Sequence, residues 1–360
     1  MYFDLNDDQK AIRDAVGNVL HDFLPTDRLV PSFDAGTLDP KLWHSLTELG
    51  LTGILVPATS GGSELDLVTL ADVAEHLGYA GAAAPVVPNA LAAWLIAIGG
   101  DGRQRARWLP GLLSGETIAS FAFCELDGNV LPEDSTMTGP GISGRKQLVE
   151  WGEQAHLIIA STSGDQLALI DASAQGVTRT GTDSVDRTRP LADIDFDRVE
   201  IDPLLGDAEC SEDLVERLRD AWLVASAAGA YGAAQRALDM AVEYARERKQ
   251  FDQPIGAFQG IKHQIANAYA ELLPSRQLVW YAAHAWDALP DRRAHAAALA
   301  KAHVTDIAVR VARLTVELHG GIGYTWEYPL HIFLKRAMYE RAYLGLPTRH
   351  RQRAANLAKW

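Results

Sequence analysis

From Asn6 to Gly115 the apolar positions recur at helical spacing. In LNDDQKAIRDAVGNVLHDFL they put Leu5, Ile12, Val16, Val19 and Leu20 on one side, which predicts an amphipathic helix with Asn6 or Asp7 as its N-cap. The same period continues through PKLWHSLTELG, LVTLADVAEHLGYAG and NALAAWLIAIGG, with Gly-rich breaks such as Ser60-Gly61-Gly62 between them. At about Thr117 the texture changes. TIASFAFCE, HLIIAST, QLALIDA and DIDFDRVEID are short, β-branched or alternating, and are separated by Gly, Asp and Ser, which predicts a small β domain ending near Pro203. After Ser211 the helical period returns in three long stretches rich in Ala, the first of which carries Gly as well, so that a neighbouring helix can pack closely. Pro274 is expected to kink the second of them.

These patterns predict a mainly α chain with a small β domain. The expected division is an N-terminal helical domain over residues 1–115, a middle β domain over 116–205 and a C-terminal domain of four-helix-bundle type over 206–360. Long bundle helices with apolar residues on more than one side commonly bury the second side in an oligomer. The chain shows no sequence repeat and no low-complexity tract.

Composition narrows the function. A chain of 360 residues with 48% hydrophobic content is ample for a core, and a formal charge of -14 repels phosphate backbones, so nucleic acid is not an expected partner. Cys124 and Cys210 are the only cysteines and stand far apart, which points to neither a disulfide framework nor a zinc site. The start MYFDLNDDQK has no signal-peptide character and the apolar runs are too short to span a bilayer, so a cytoplasmic protein with no membrane partner is expected.

Two C-terminal segments carry the chemistry. RERKQFDQPIGAFQGIKHQIAN closely resembles the Arg-x-x-Phe segment of acyl-CoA dehydrogenases, and ELHGGIGYTWEYPL resembles their His-Gly-Gly-x-Gly-Tyr turn. FDLNDDQKAIRDAV, LTELGLTGILVPATSGG and WLPGLLSGETIASFAF are similar to that family's N-terminal domain, so the resemblance covers essentially the whole chain. Arg248 can fork onto a pyrophosphate while Phe251 covers an apolar part of the ligand; the plain alternative is a cation complementing a helix C-terminus. Gly320, Gly321 and Gly323 let backbone N–H groups approach a phosphate, or serve only as a glycine C-cap. The GGIGY run follows a helix rather than a strand, so it is not a Rossmann loop. The resemblance implies FAD as cofactor. It also implies that Arg248, Phe251, Gln259 and the Gly320–Gly321 turn reach the flavin dinucleotide of a neighbouring subunit, with Glu317 where the family usually has Gln.

The family's catalysis needs a carboxylate that removes the α-proton of an acyl-CoA while a hydride leaves the β-carbon for the flavin. Many members take it from a Tyr-Glu-Gly-Thr segment, matched here by Tyr343-Leu344-Gly345-Leu346; others take it from a long helix, at the position of Trp222. Neither Leu344 nor Trp222 can accept a proton. Asp220 lies two residues before Trp222, on the opposite side of a helix. The flavin-ring contacts differ too: FCELDGNVLPEDST replaces a Thr-Glu-Pro and Gly-Ser-Asp loop, and Leu148-Val149-Glu150 replaces Trp-Ile-Thr, which sets a negative charge against a ring that must accept a hydride. Glu150, Asp220 and Glu340 are the candidates for a relocated base, although such carboxylates are expected on the solvated surface. His319 and His350 are expected to be structural hydrogen-bonders.

What the chain keeps is the set the family contributes across an interface, and what it lacks is the set that acts within its own subunit. The resemblance therefore implies the subunit without the catalytic Glu of a heteromeric, steroid side-chain type acyl-CoA dehydrogenase, a heterotetramer whose homologous partner supplies the base. Two alternatives stay open: a homo-oligomeric dehydrogenase with a relocated acid, and a flavin-free structural module.

Overall fold

Asn6 caps the first helix by accepting from the Gln9 backbone, while Gln9 reaches back to the Asn6 N–H, a reciprocal capping box that fixes where α1 (Asp7–Phe23) begins. The computed structural model describes residues 4–125, 137, 141–163, 166–204 and 208–359. Of the apolar positions read from the sequence, Leu5, Val16 and Leu20 are buried and Ile12 and Val19 half-buried.

The chain forms two compact units. The first comprises Met1–Ala35, Ala71–Ala82 and Leu223–Trp360. It holds α1, α2 (Thr26–Ala35), most of α4 (Leu67–Ala80) and the larger part of α7 (Ala208–Glu247), followed by the hairpin β8 (Lys249–Gln250) and β9 (Gln253–Pro254). The helices α8 (Gln259–Ala288), α9 (Pro290–His319), α10 (Leu330–Ala342) and α11 (Pro347–Leu357) complete it. Only Leu289 separates α8 from α9, which fold back on each other. Pro274 sits inside α8 without ending it. The small residues of α7 act as expected: a Cβ at Gly232 would run into the Glu75 carbonyl of α4, and one at Gly78 into that of Gly229. Close backbone approach is what glycine permits there.

The second unit comprises Gly36–Leu70 and Ala83–Trp222. Its helices are α3 (Pro40–Glu48), α5 (Val86–Gly99) and α6 (Gly102–Ser114), with the first turns of α7. Asn89 is buried on α5 and ties it to the first strand, donating to Thr117 O at 2.7 Å and accepting from Ala119 N at 2.9 Å. One sheet runs β1 (Ala119–Ala122), β3 (Leu157–Thr162), β4 (Gln166–Asp171), β7 (Asp202–Pro203), with β1 and β3 parallel and the other pairs antiparallel. The other is antiparallel in the order β2 (Gly141–Glu150), β6 (Leu191–Glu200), β5 (Val177–Thr182). The sequence pattern had not marked β2 and β5, whose Gly, Arg and Thr residues hide the alternation. Register shifts in β2 bracket Ile142/Gly144 and Lys146/Val149, and the second of these turns Leu148 to a φ of 54°.

Candidate functional site

In the first unit, two helix ends come together. Tyr244 near the end of α7 stacks on His319 at the end of α9, with ring centroids 4.5 Å apart. His319 is buried and fixed by Thr315 O at 2.7 Å and Tyr328 Oη at 3.1 Å, the structural role expected of it. Just past α7, Arg248 is exposed and makes no ion pair among the described residues. Phe251 and Asp252 turn the hairpin with φ of 52° and 62°, which leaves the Phe251 ring 86% exposed. Gln259 opens α8, and Glu317 lies in the last turn of α9; both are exposed.

Gly320 turns with φ of 63°, and a Cβ on Gly320 or Gly321 would meet nothing within 4 Å. The backbone there is open to an approaching group. Gly323 differs, because a Cβ would press within 2.8 Å of Val316 O. It is a packing glycine.

At the position where a base is expected the side chain is buried and apolar. Leu344 is 4% exposed, with φ of 59°, and its carbonyl accepts from His350 Nε2 at 2.8 Å. Burial, reinforced by the Lys301 charge, lowers His350 to about 4, so its imidazole is neutral. Lys301, wholly buried on α9, donates to Tyr343 O at 2.7 Å, to Ser226 Oγ at 2.9 Å and to Glu340 O. Ser226 in turn donates to Glu340 Oε2 at 2.8 Å, and Arg336 Nε donates to Glu340 Oε1 at 2.8 Å. The ammonium and the imidazole thus hold the carbonyls of Glu340, Tyr343 and Leu344 in place around a leucine. Glu340 is a buried member of this network, not the solvated carboxylate the sequence led us to expect.

The second unit corrects the same expectation twice more. Glu150 is buried with its Oε1 3.6 Å from Arg189 Nε, and Asp220 is buried with its Oδ1 3.4 Å from Arg219 Nε. A buried carboxylate needs such a cation; Arg189 is distant from Glu150 in sequence, whereas Arg219 adjoins Asp220, whose burial the helical period did not reveal. Trp222 is buried edge-on to Phe121 at 4.6 Å and beside Phe123 at 5.9 Å. The position carries an aromatic wedge. Lys146, wholly buried on β2, donates to Glu125 Oε1 at 2.6 Å and Ser161 Oγ at 3.0 Å. The loop FCELDGNVLPEDST, expected from the resemblance to stand in place of a flavin-ring contact, lies outside the described residues from 126 to 136.

Comparison with known proteins agrees with this arrangement. The model of the acyl-CoA dehydrogenase N-terminal domain matches residues 6–116 and that of the acyl-CoA dehydrogenase C-terminal domain residues 224–356. Acyl-CoA dehydrogenase IpdE2 of Mycobacterium tuberculosis is 31% identical over 300 residues, covering 83% of this chain and 80% of the relative. The chain belongs to the acyl-CoA dehydrogenase family. Acyl-CoA dehydrogenase FadE34 of the same organism is 32% identical over 319 residues, 87% of this chain, although the chain spans only 42% of that relative's length. Among solved structures, a variant of the Tcur3481-Tcur3483 steroid ACAD has a TM-score of 0.88 at 28% identity, covering 98% of each chain.

FAD is the cofactor of this acyl-CoA dehydrogenase family, and the exposed residues of the first unit fit part of it. An arginine with no ion pair among the described residues, an exposed glycine turn with no side chain to block approach, and a bare aromatic ring suit a dinucleotide. Among the described residues no His, Cys, Asp or Glu cluster could hold a metal, and no helix is long and apolar enough to cross a membrane. The sequence reading missed Lys301, Ser226, Arg336 and Lys146. The single Lys in the apolar run AHAAALAKAHV was the signal available for Lys301.

Proposed function

We propose that this chain is the subunit of a two-chain, flavin-dependent acyl-CoA dehydrogenase that does not supply the base. FAD, when bound, would supply the acceptor for the hydride leaving the β-carbon of the acyl thioester. Arg248, Phe251, Gln259 and the Gly320–Gly321 backbone bind and orient the dinucleotide of a homologous partner, with Glu317 at the rim, and the partner contributes the carboxylate that removes the α-proton. One contrast carries the reading: both positions of the family's base hold buried apolar side chains, Leu344 and Trp222, whereas every residue of the dinucleotide-binding set is exposed.

Two further observations support it. Glu150, Asp220 and Glu340 are each buried against a cation, so none is a free base within reach of a substrate from solvent. The similar steroid ACAD is named for two chains, and a steroid-derived acyl-CoA is the substrate class we assign to the assembled enzyme. A chain that had abandoned flavin would have no use for an unpaired arginine beside an open glycine turn.

The test is tagged purification from the native host with flavin counted per chain. A Glu-bearing homologue co-purifying with one flavin for each pair of unlike chains supports the reading. A homo-oligomer of this chain with a flavin in every subunit that oxidises an acyl-CoA overturns it.

A further inference from the structure

The first unit contains a cleft of about 820 Å³ bordered by α1, α2, α4, α7 and α8. That volume lies within the range typical of small-molecule sites. Its walls are largely apolar, formed by Leu20, Leu24, Leu29 and Leu273, with the rings of Tyr79 and Tyr269 beside them.

Three arginines line the cleft, and they are not equivalent. Arg13 is forked onto Asp72, with its closest contact at 2.6 Å, and Arg276 binds Glu75 at 2.9 Å and Asp72 at 3.5 Å. Arg236 has no carboxylate within ion-pair distance among the described residues. It touches Thr26 Oγ at 3.3 Å and lies 5.5 Å from the centre of the Tyr79 ring. The cleft therefore holds one half-buried cation with no ion pair among the described residues.

A second feature points the same way. Gly17 faces the cleft from the middle of α1, and a Cβ there would meet nothing within 4 Å. Glycine inside a helix lowers its stability by about 1 kcal/mol relative to alanine, and here no close packing requires it. Its effect is to keep the wall open.

We propose that this cleft binds an amphipathic monocarboxylate, with the anion on Arg236 and the apolar body along the leucines of α1 and α2. One guanidinium without an ion pair suits one negative charge, and the Glu75 carboxylate that also lines the cleft disfavours a dianion. An apolar cleft with one fixed cation at its edge selects an amphiphile over a small polar acid.

The experiment is equilibrium binding to the purified assembly, with radiolabelled dodecanoate and cholate as the straight-chain and polycyclic probes and dodecanol as the uncharged control. At least one carboxylate is expected to bind, and to bind more tightly than dodecanol; which one binds distinguishes an acyl-chain from a ring-system ligand. Arg236→Gln is expected to weaken the carboxylate at least tenfold and to leave dodecanol unchanged. Gly17→Leu is expected to abolish binding while raising the melting temperature, because it fills the cleft and favours the helix. The proposal is overturned if neither carboxylate binds, if dodecanol binds as well as the acids, or if the folded Gly17→Leu protein retains full affinity.

Discussion

His350 Nε2 donates to the Leu344 carbonyl at 2.8 Å, so a buried neutral imidazole holds a leucine in a left-handed turn. Because the pKa of His350 is lowered in the folded protein from 6.5 to about 4, the unfolded chain binds the extra proton first. This contribution to stability is complete above about pH 6.5, declines as pH falls to about 4 and is gone below that; a shift of this size is worth at most about 3 kcal/mol. His350→Asn, which keeps an N–H donor and cannot titrate, should flatten the dependence of the urea midpoint on pH across that window. Parallel curves for the two proteins would refute it.

At Leu344 the usual order of truncations should be inverted. Leu344→Ala removes a buried side chain, at about 2–5 kcal/mol, and keeps the positive φ. Leu344→Gly loses the same contacts but relieves a left-handed conformation that costs a non-glycine residue about 1 kcal/mol. The glycine variant should melt no lower than the alanine variant. In an ordinary helix it would melt lower.

Lys146 and Glu125 form a buried pair in the second unit. Lys146→Met alone strands the carboxylate and should cost about 3–5 kcal/mol, whereas the double replacement Lys146→Met with Glu125→Leu should recover most of that loss. Chemical denaturation of the four proteins of the cycle measures the coupling. Equal losses in the single and double variants would mean that the pair does not act as a unit.

Arg248 and Phe251 should behave in the opposite manner to Leu344. Both are exposed, so Arg248→Ala and Phe251→Ala should change the stability of the isolated chain by no more than about 0.5 kcal/mol. In the co-purified assembly, loss of the charge-assisted bonds of Arg248 should weaken FAD at least about tenfold. Thermal melts and flavin titration separate the two effects.

The sequence by itself determined the helix, sheet, helix order, narrowed the first cap to Asn6 or Asp7 and fixed the position of the Arg248 and Gly320 segments. These depend on local periodicity, capping chemistry and short motifs, all of which lie within a few residues of one another. The resemblance also implied that Leu344 and Trp222 stand where carboxylates are usual, which depends on side-chain identity alone. Only the tertiary structure decided what surrounds those positions. Lys301 reaches Ser226, Glu340 and Tyr343 from other elements of the chain, and Arg189 meets Glu150 from a separate strand connection. Arg219 and Arg336 stand close in sequence to Asp220 and Glu340, but which face of a helix is covered depends on elements that only folding brings over it, so Glu150, Asp220 and Glu340 read as surface residues in the sequence and proved to be buried. The Arg236 cleft belongs to the same class, since its walls come from five helices and its signal is a glycine whose missing side chain faces open space.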